Sequence, residues 1–176
     1  MKPSDFWNNL EADNMDTKDI APLLYFLAKL MNAKTTLEIG VYQGYISIGL
    51  AYVAKENEGK HYMIERRKDF ASKTIELIKK HNLLNSAYMI NGESEKVSWD
   101  KEIDLLFIDS DHSERAVIDA IEKFGKFVRK DGFMCLHDYC HKKGEVNLAA
   151  DKHIKDGWEK LLIPYSSGLL VCRKNG

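Results

Sequence analysis

Two short stretches concentrate the side chains that acid–base or metal chemistry needs. Asp109-Ser110-Asp111-His112-Ser113-Glu114 follows the apolar run Ile103–Ile108, and His137-Asp138-Tyr139 follows Phe133–Leu136. Such groups can hold a hard divalent cation through oxygen ligands, with a histidine less usual for magnesium. They can equally supply a general base, a carboxylate or imidazole beside a substrate hydroxyl. The Asp and Ser residues around 109–113 also suit plain helix capping. No HExxH, CxxC or nucleophile-elbow pattern is present, which argues against the hydrolases that use them.

A third stretch, Glu38-Ile39-Gly40-Val41-Tyr42-Gln43-Gly44, reads as a strand end running through glycines into a helix. Gly40 and Gly44 allow close backbone approach to a ligand, and a helix N-terminus offers unpaired N–H groups. A dinucleotide fingerprint would have glycine where Tyr42 stands, and a P-loop would continue Gly-Lys-Ser/Thr where Tyr45 follows Gly44. Glu65 lies 21 residues beyond Gly44 and ends another apolar run, a position from which a carboxylate can accept both hydrogen bonds of a ribose diol. Asn91-Gly92-Glu93-Ser94 ends a further run and suits an adenine edge, or an ordinary turn.

These stretches are placed by the elements before them. A helix carries Ile20, Leu23, Leu24, Leu27 and Leu30 on one face, with Pro22 expected in its first turn. Strands are expected at 35–39, 61–65, 87–90, 103–108 and 133–136. The helices between them include Ile46–Ala54, Phe70–His81 with Ala71, Ile75 and Ile78 inward, and one capped by Ser113 with a Val117, Ile121, Phe124, Val128 stripe. A polar helix near 145–156 and a hairpin of 160–163 with 169–172 close the chain. Strands alternating with helices mean an α/β fold: a doubly wound, mostly parallel seven-stranded sheet with a C-terminal antiparallel hairpin. In such sheets ligands bind beyond the carboxyl ends of the strands, where the catalogued residues fall.

The 176 residues suit one domain, read as 1–176 with an N-terminal helical segment at 1–31 and a core at 35–173. A hydrophobic share of 44% excludes intrinsic disorder, and a net charge of -1 gives no basic field for nucleic acid or membrane. Cys135, Cys140 and Cys172 form no CxxC pair and read as thiols of a reducing compartment. With no signal-like start and no apolar run of membrane length, a cytoplasmic enzyme is the expectation.

Together these motifs resemble class I S-adenosylmethionine-dependent methyltransferases, specifically the catechol O-methyltransferase-like small-molecule group. Leu37–Tyr45 is similar to that group's first motif. Phe107–Ser113 with Leu136–Tyr139 is similar to a subgroup that methylates sugars and natural-product hydroxyls. The resemblance implies a Rossmann-like methyltransferase fold and S-adenosylmethionine as cofactor. Glu38, Gly40, Tyr42 and Gly44 would then surround its methionine and ribose, Glu65 would take the ribose hydroxyls, and Gly92, Glu93 and Ser94 would border the adenine. Asp109 would sit near the sulfonium with His112 alongside. Asp109, His137 and Asp138 match the relatives' metal ligands, for a divalent cation such as magnesium, although His137 departs from their two carboxylates or Asp-Asn. Asp111 or His137 would take the acceptor's proton.

The acceptor implied is a small hydroxylated molecule: a phenol, a sugar or a natural product. Its contacts would come from the N-terminal segment with Trp7, from 139–143 with Tyr139 and His141, and from the 164–168 loop, with Trp158 nearby. So short a core suggests an open cleft, or one completed by a second subunit in a homodimer. A catalytically silent cofactor-binding module and an N-directed methyltransferase are the alternatives.

Overall fold

The structure, a computed structural model, describes residues 17–141, 145–165 and 167–176. Trp7 and the 142–144 part of the expected acceptor loop lie outside the described residues, as does Ser166. In chain order the elements are α1 (Thr17–Leu30), β1 (Thr35–Ile39), α2 (Tyr45–Glu56), β2 (Lys60–Glu65), α3 (Lys68–Lys80) and β3 (Ala87–Asn91). A 3-10 turn (Ser94–Lys96) leads to β4 (Ile103–Ile108), α4 (Glu114–Gly125), β5 (Val128–Leu136), α5 (Val146–His153), β6 (Trp158–Ile163) and β7 (Leu169–Lys174).

All seven strands share one sheet in the order β3-β2-β1-β4-β5-β7-β6. Pairings from β3 through β5 are parallel, and β7 runs antiparallel to both β5 and β6. Parallel neighbours require crossovers, and the helices supply them on both faces. Alternation along β4 divides the core. Leu105 and Phe107 pack with α1 and α2 through Ile20, Leu24, Ala28, Ile46 and Leu50. Leu106 and Ile108 pack on the opposite face with α4 and α5 through Val117, Ile121, Phe124, Ala149 and Ile154. Ile78 of α3 joins Ile48 and Met63 on the α2 side. Complete burial of each Leu, Ile, Val, Phe or Met among these side chains contributes roughly 1.5–3 kcal/mol. The winding reverses between β1 and β4, so the switch point falls between Gly40 and Asp109.

Several sequence expectations are corrected. On α1 the buried set is Ile20, Ala21, Leu24, Tyr25 and Ala28, whereas Leu23 and Leu30 face outward with Phe26. Pro22 falls in the second turn of the described helix, where its ring removes one rung of the backbone ladder. On α3 Thr74 takes the inward place expected of Ile75, which is exposed. Val128 opens β5 instead of extending α4, and Lys130-Asp131-Gly132 lies within that strand at a break in register with β4. Ser113 precedes α4 without a side-chain cap; the Glu145 carboxylate accepts from Glu114 N at 2.8 Å in its stead.

Candidate active site

The strand ends form one rim because each residue just past a strand donates its N–H to a neighbouring strand. Gly92 N reaches Glu65 O (2.9 Å), Gly40 N reaches Ile64 O (3.0 Å), Asp109 N reaches Ile39 O (2.9 Å) and His137 N reaches Ile108 O (3.1 Å). A cleft of about 490 Å³ opens above this rim, lined by Gly40, Tyr42, Glu65, Gly92, Ser94 and Asp109 among others.

The glycine loop forms one wall. Gly40 has φ +84°, and a Cβ there would lie 2.0 Å from the Asp109 carbonyl oxygen, so only glycine lets β1 and β4 close at this point. Gly44, at φ +80°, begins α2 against Thr74. Between them Tyr42 holds a left-handed φ of 49°, a conformation that costs a residue with a side chain and is found at sites where the surroundings enforce it. Here they do. The Tyr42 N–H donates to Glu65, the Thr74 hydroxyl donates to the Tyr42 carbonyl, and its ring meets Phe70 edge-on at 4.4 Å. The Arg67 guanidinium lies 3.8 Å over Phe70, completing an aromatic and cationic wall.

Glu65 is the hub of that loop. Its Oε2 accepts from Val41 N (3.1 Å) and Tyr42 N (3.2 Å), and its Oε1 accepts from Arg67 N (2.8 Å). A carboxylate offers about four lone-pair directions, so one remains for a ligand. On the far side, Lys123 Nζ donates to the Ser94 and Glu95 carbonyls and fixes the turn that carries Gly92, Glu93 and Ser94. Glu93 itself is ion-paired with Lys96.

Glu38, expected beside the ligand, is only 1% exposed. Its Oε2 accepts from the Ser47 hydroxyl at 2.6 Å and meets His61 Nε2 at 3.0 Å, while His61 Nδ1 meets Thr36 Oγ1 at 2.8 Å. Burial pushes its carboxyl above the usual range, against the pull of His61 and Ser47. It does not line the main cleft but borders a small adjoining recess that shares Gly40, Val41, Tyr42 and Asp109 with it.

Asp109, His137 and Asp138 come together at the end of the rim, each offering a ligand atom within 4.8 Å of the others. His137 is 4% exposed; its Nδ1 lies 3.3 Å from Asp109 Oδ1 and 3.6 Å from Asp138 Oδ1, and its Nε2 lies 3.1 Å from Ser167 Oγ. Asp138 holds a left-handed φ of 58°. His112 reaches in from the loop after β4, with Nε2 2.9 Å from Asp138 Oδ2 and 3.5 Å from Asp109 Oδ1. Hydrogen bonds to Asp109 and Asp138 push the His112 imidazole up to about 10. Burial would raise the Asp138 carboxyl, but hydrogen bonds from His112 and Ser167 outweigh it and bring it down to about 2. Asp109 is likewise held below the usual carboxylate range, the bonds from His112 and His137 overcoming its burial. Two carboxylates and an imidazole nitrogen are a donor set that divalent cations accept, and the histidine favours manganese, iron or zinc over magnesium.

Asp111 lies apart from this cluster. Its Oδ1 accepts from Ser113 N at 3.0 Å and its Oδ2 faces Arg66 Nη1 at 3.4 Å, across the cleft from the β2 end. The Ser113 hydrogen bond, with Arg66 helping, holds its carboxyl below the usual range. Arg66, Arg67 and Phe70, with Arg115, Ala116 and Asp119 of α4, line the cleft without having been named from the sequence. The strand-end rule covered Arg66 and Arg67, directly after Glu65. Ser167 falls in the 164–168 loop expected to contact the acceptor, but nothing local pairs it with His137; the return of β7 beside β5 does.

A doubly wound sheet with a glycine loop, an acidic second strand end and a cleft at the switch point defines a Rossmann-like nucleotide-type binding domain. The profile of the family described as "Methyltransferase domain" matches residues 37–139, and the chain belongs to that family. It is 31% identical over 121 residues to an Arabidopsis thaliana protein named as a candidate caffeoyl-CoA O-methyltransferase; the match covers 66% of this chain and 51% of that protein, about half its length. Among solved structures, the S-adenosylhomocysteine-bound Podospora anserina methyltransferase PaMTH1 superposes with TM-score 0.80 at 17% identity, covering 99% of this chain and 88% of that one. The Bacillus cereus O-methyltransferase in complex with S-adenosylhomocysteine gives 0.76 at 16%, covering 98% and 87%. TomG of Streptomyces achromogenes, an O-methyltransferase of tomaymycin synthesis in complex with S-adenosylmethionine, gives 0.74 at 18%, covering 93% and 83%. These establish the Rossmann-like methyltransferase fold. No helix among the described residues is long and apolar enough to cross a membrane.

Proposed function

We propose that the chain is an S-adenosylmethionine-dependent methyltransferase that acts on a hydroxyl of a small molecule. The observation that carries this reading is the continuity of the cleft. It runs from the Gly92–Ser94 turn past Glu65 and the glycine loop and ends at Asp109, beside the buried His137–Asp138 pair. Its volume of about 490 Å³ lies within the range usual for cofactor-sized ligands, roughly 300–1,000 Å³. Three free cysteines, two of them buried, suit the reducing cytoplasm.

In this reading the cofactor brings an electrophilic methyl group on a sulfonium, and the chain's residues bind, align and deprotonate. Glu65 offers its remaining lone pair to the ribose, while Tyr42, Phe70 and Arg67 wall the cofactor in. Gly92, Glu93 and Ser94 border the adenine, Gly40 and Gly44 permit the close approach, and the anionic Asp109 faces the sulfonium. Alignment and exclusion of water then supply most of the rate. A divalent cation, when bound, would be held by Asp109, Asp138 and Nδ1 of His137 and would lower the acceptor hydroxyl's pKa.

Without a cation, His137 is the proton acceptor. A proton taken from the acceptor hydroxyl by His137 leaves an imidazolium between the Asp109 and Asp138 carboxylates. Asp111, tied to Ser113 and Arg66, serves as a clasp on the cofactor side. The test is transfer of a labelled methyl group from S-adenosylmethionine to a panel of phenols, sugars and amines. Label in hydroxylated acceptors supports the reading. Label confined to amines moves the activity to nitrogen, and none in any acceptor despite cofactor binding favours a silent binding module.

A further inference from the structure

We propose that His112 and a divalent cation compete for one seat between Asp109 and Asp138, so that His112 acts as a displaceable occupant of that seat and not as a metal ligand. Its Nε2 bridges the two carboxylates, at 2.9 Å from Asp138 Oδ2 and 3.5 Å from Asp109 Oδ1. A cation bound to those oxygens at roughly 2.0–2.6 Å would stand where this N–H group now donates. Either the ring joins the coordination, or it leaves.

Three observations favour departure. The converging donor group among the described residues is Asp109, His137 and Asp138, and His112 does not join it. Its side chain is 41% exposed, whereas that of His137 is 4% exposed and anchored by Ser167, so the outer ring is the one with somewhere to go. Finally, His112 draws Asp138 through Oδ2, while the Oδ1 of the same carboxylate faces His137. Releasing the ring therefore frees a carboxylate oxygen that the cation can take.

This inference rests on the proposed transferase reading only for why a cation would be wanted there. Its test is separate, because metal affinity is read with neither cofactor nor acceptor present. Manganese binding to the full chain is titrated by electron paramagnetic resonance in wild type, His112→Ala and His112→Ala/Asp138→Asn, each checked for folding by circular dichroism. His112→Ala should bind manganese tighter by roughly tenfold or more, the size expected when a hydrogen bond to a charged group no longer has to be broken, and adding Asp138→Asn should erase the gain. Equal, weaker or undetectable binding by a folded His112→Ala overturns the proposal.

Ring-nitrogen NMR of the wild-type chain with zinc gives a second reading that depends on no variant folding. A solvent-like His112 signal at saturation supports displacement. A metal-bound His112 signal, or a His112 that does not respond, overturns it.

Discussion

Replacing Glu65 by alanine separates what its carboxylate does for the fold from what it does for the cofactor. Three backbone N–H groups converge on it: Val41 at 3.1 Å, Tyr42 at 3.2 Å and Arg67 at 2.8 Å. A hydrogen bond to a charged group contributes about 1.5–3 kcal/mol, and a buried donor left without a partner costs about 1–3 kcal/mol. Water reaches the Tyr42 and Arg67 amides, which are only partly buried, so the Val41 N–H carries most of the loss. The stability cost is then about 2–4 kcal/mol, or roughly 5–15 °C in Tm for a domain of this size. Loss of the ribose contact adds a separate effect of about 1.5–3 kcal/mol, a tenfold to 150-fold rise in Kd for S-adenosylhomocysteine. Glu65→Gln keeps one acceptor for the glycine loop but turns an N–H toward that of Arg67, and should recover about half the stability. Thermal melts and calorimetric titration read the two quantities independently. Unchanged Tm refutes the hub, and lowered Tm with unchanged Kd refutes the ribose contact.

Gly40→Ala should destabilise by on the order of 3 kcal/mol in chemical denaturation, since its Cβ would meet the Asp109 carbonyl in a left-handed backbone; a loss below 1 kcal/mol would mean that β1 and β4 can part without cost. Asp111→Asn should leave kcat within about threefold and weaken cofactor binding by no more than ~1 kcal/mol, as an exposed ion pair does, whereas a hundredfold fall in kcat would return the base to Asp111. Stability should also follow the His112–Asp138 pair with pH in EDTA. A histidine raised to about 10 contributes fully below its unfolded value near 6.5, and the contribution is lost as pH rises toward 10. An aspartate lowered to about 2 contributes above its unfolded value near 3.8, and the contribution is lost as pH falls toward 2. The Tm gap between wild type and His112→Ala should therefore be widest between about pH 4 and 6.5 and narrow on either side; a gap that widens above pH 7 contradicts the assignment.

Fold class and the location of the candidate cleft were legible because both follow from strand periodicity. Ile103–Ile108 has the same bounds in sequence and structure, and every expected cofactor, metal or catalytic residue except Glu38 lies at or beyond a strand end, where the switch-point rule directs attention, whereas Trp158, expected near the acceptor, opens β6 opposite Lys174. What the pattern could not give was direction and partnership. Glu38 was placed correctly at the glycine loop, yet its side chain enters the interior, where Ser47 and His61 receive it; neither is its sequence neighbour. The α1 stripe failed because the helix carries apolar residues on two faces, and packing on α2 selects Ile20, Leu24 and Ala28 over Leu23 and Leu30. Ser113 had the right residue type for a cap, but Glu145 reaches the helix end with a charged oxygen. Asp111 is the instructive case: its likeness to a base of relatives singled it out, while the contact with Arg66 behind the proposed clasp role exists only once the folded β2 end stands opposite it.

The central claim is that the cleft between Glu65 and Asp109 receives S-adenosylmethionine. Isothermal titration of the full chain with S-adenosylhomocysteine and, separately, with NAD tests it directly. The account predicts one saturable site for S-adenosylhomocysteine, weakened by Glu65→Ala, and no heat of binding from NAD. Saturable NAD binding with none for S-adenosylhomocysteine would contradict it.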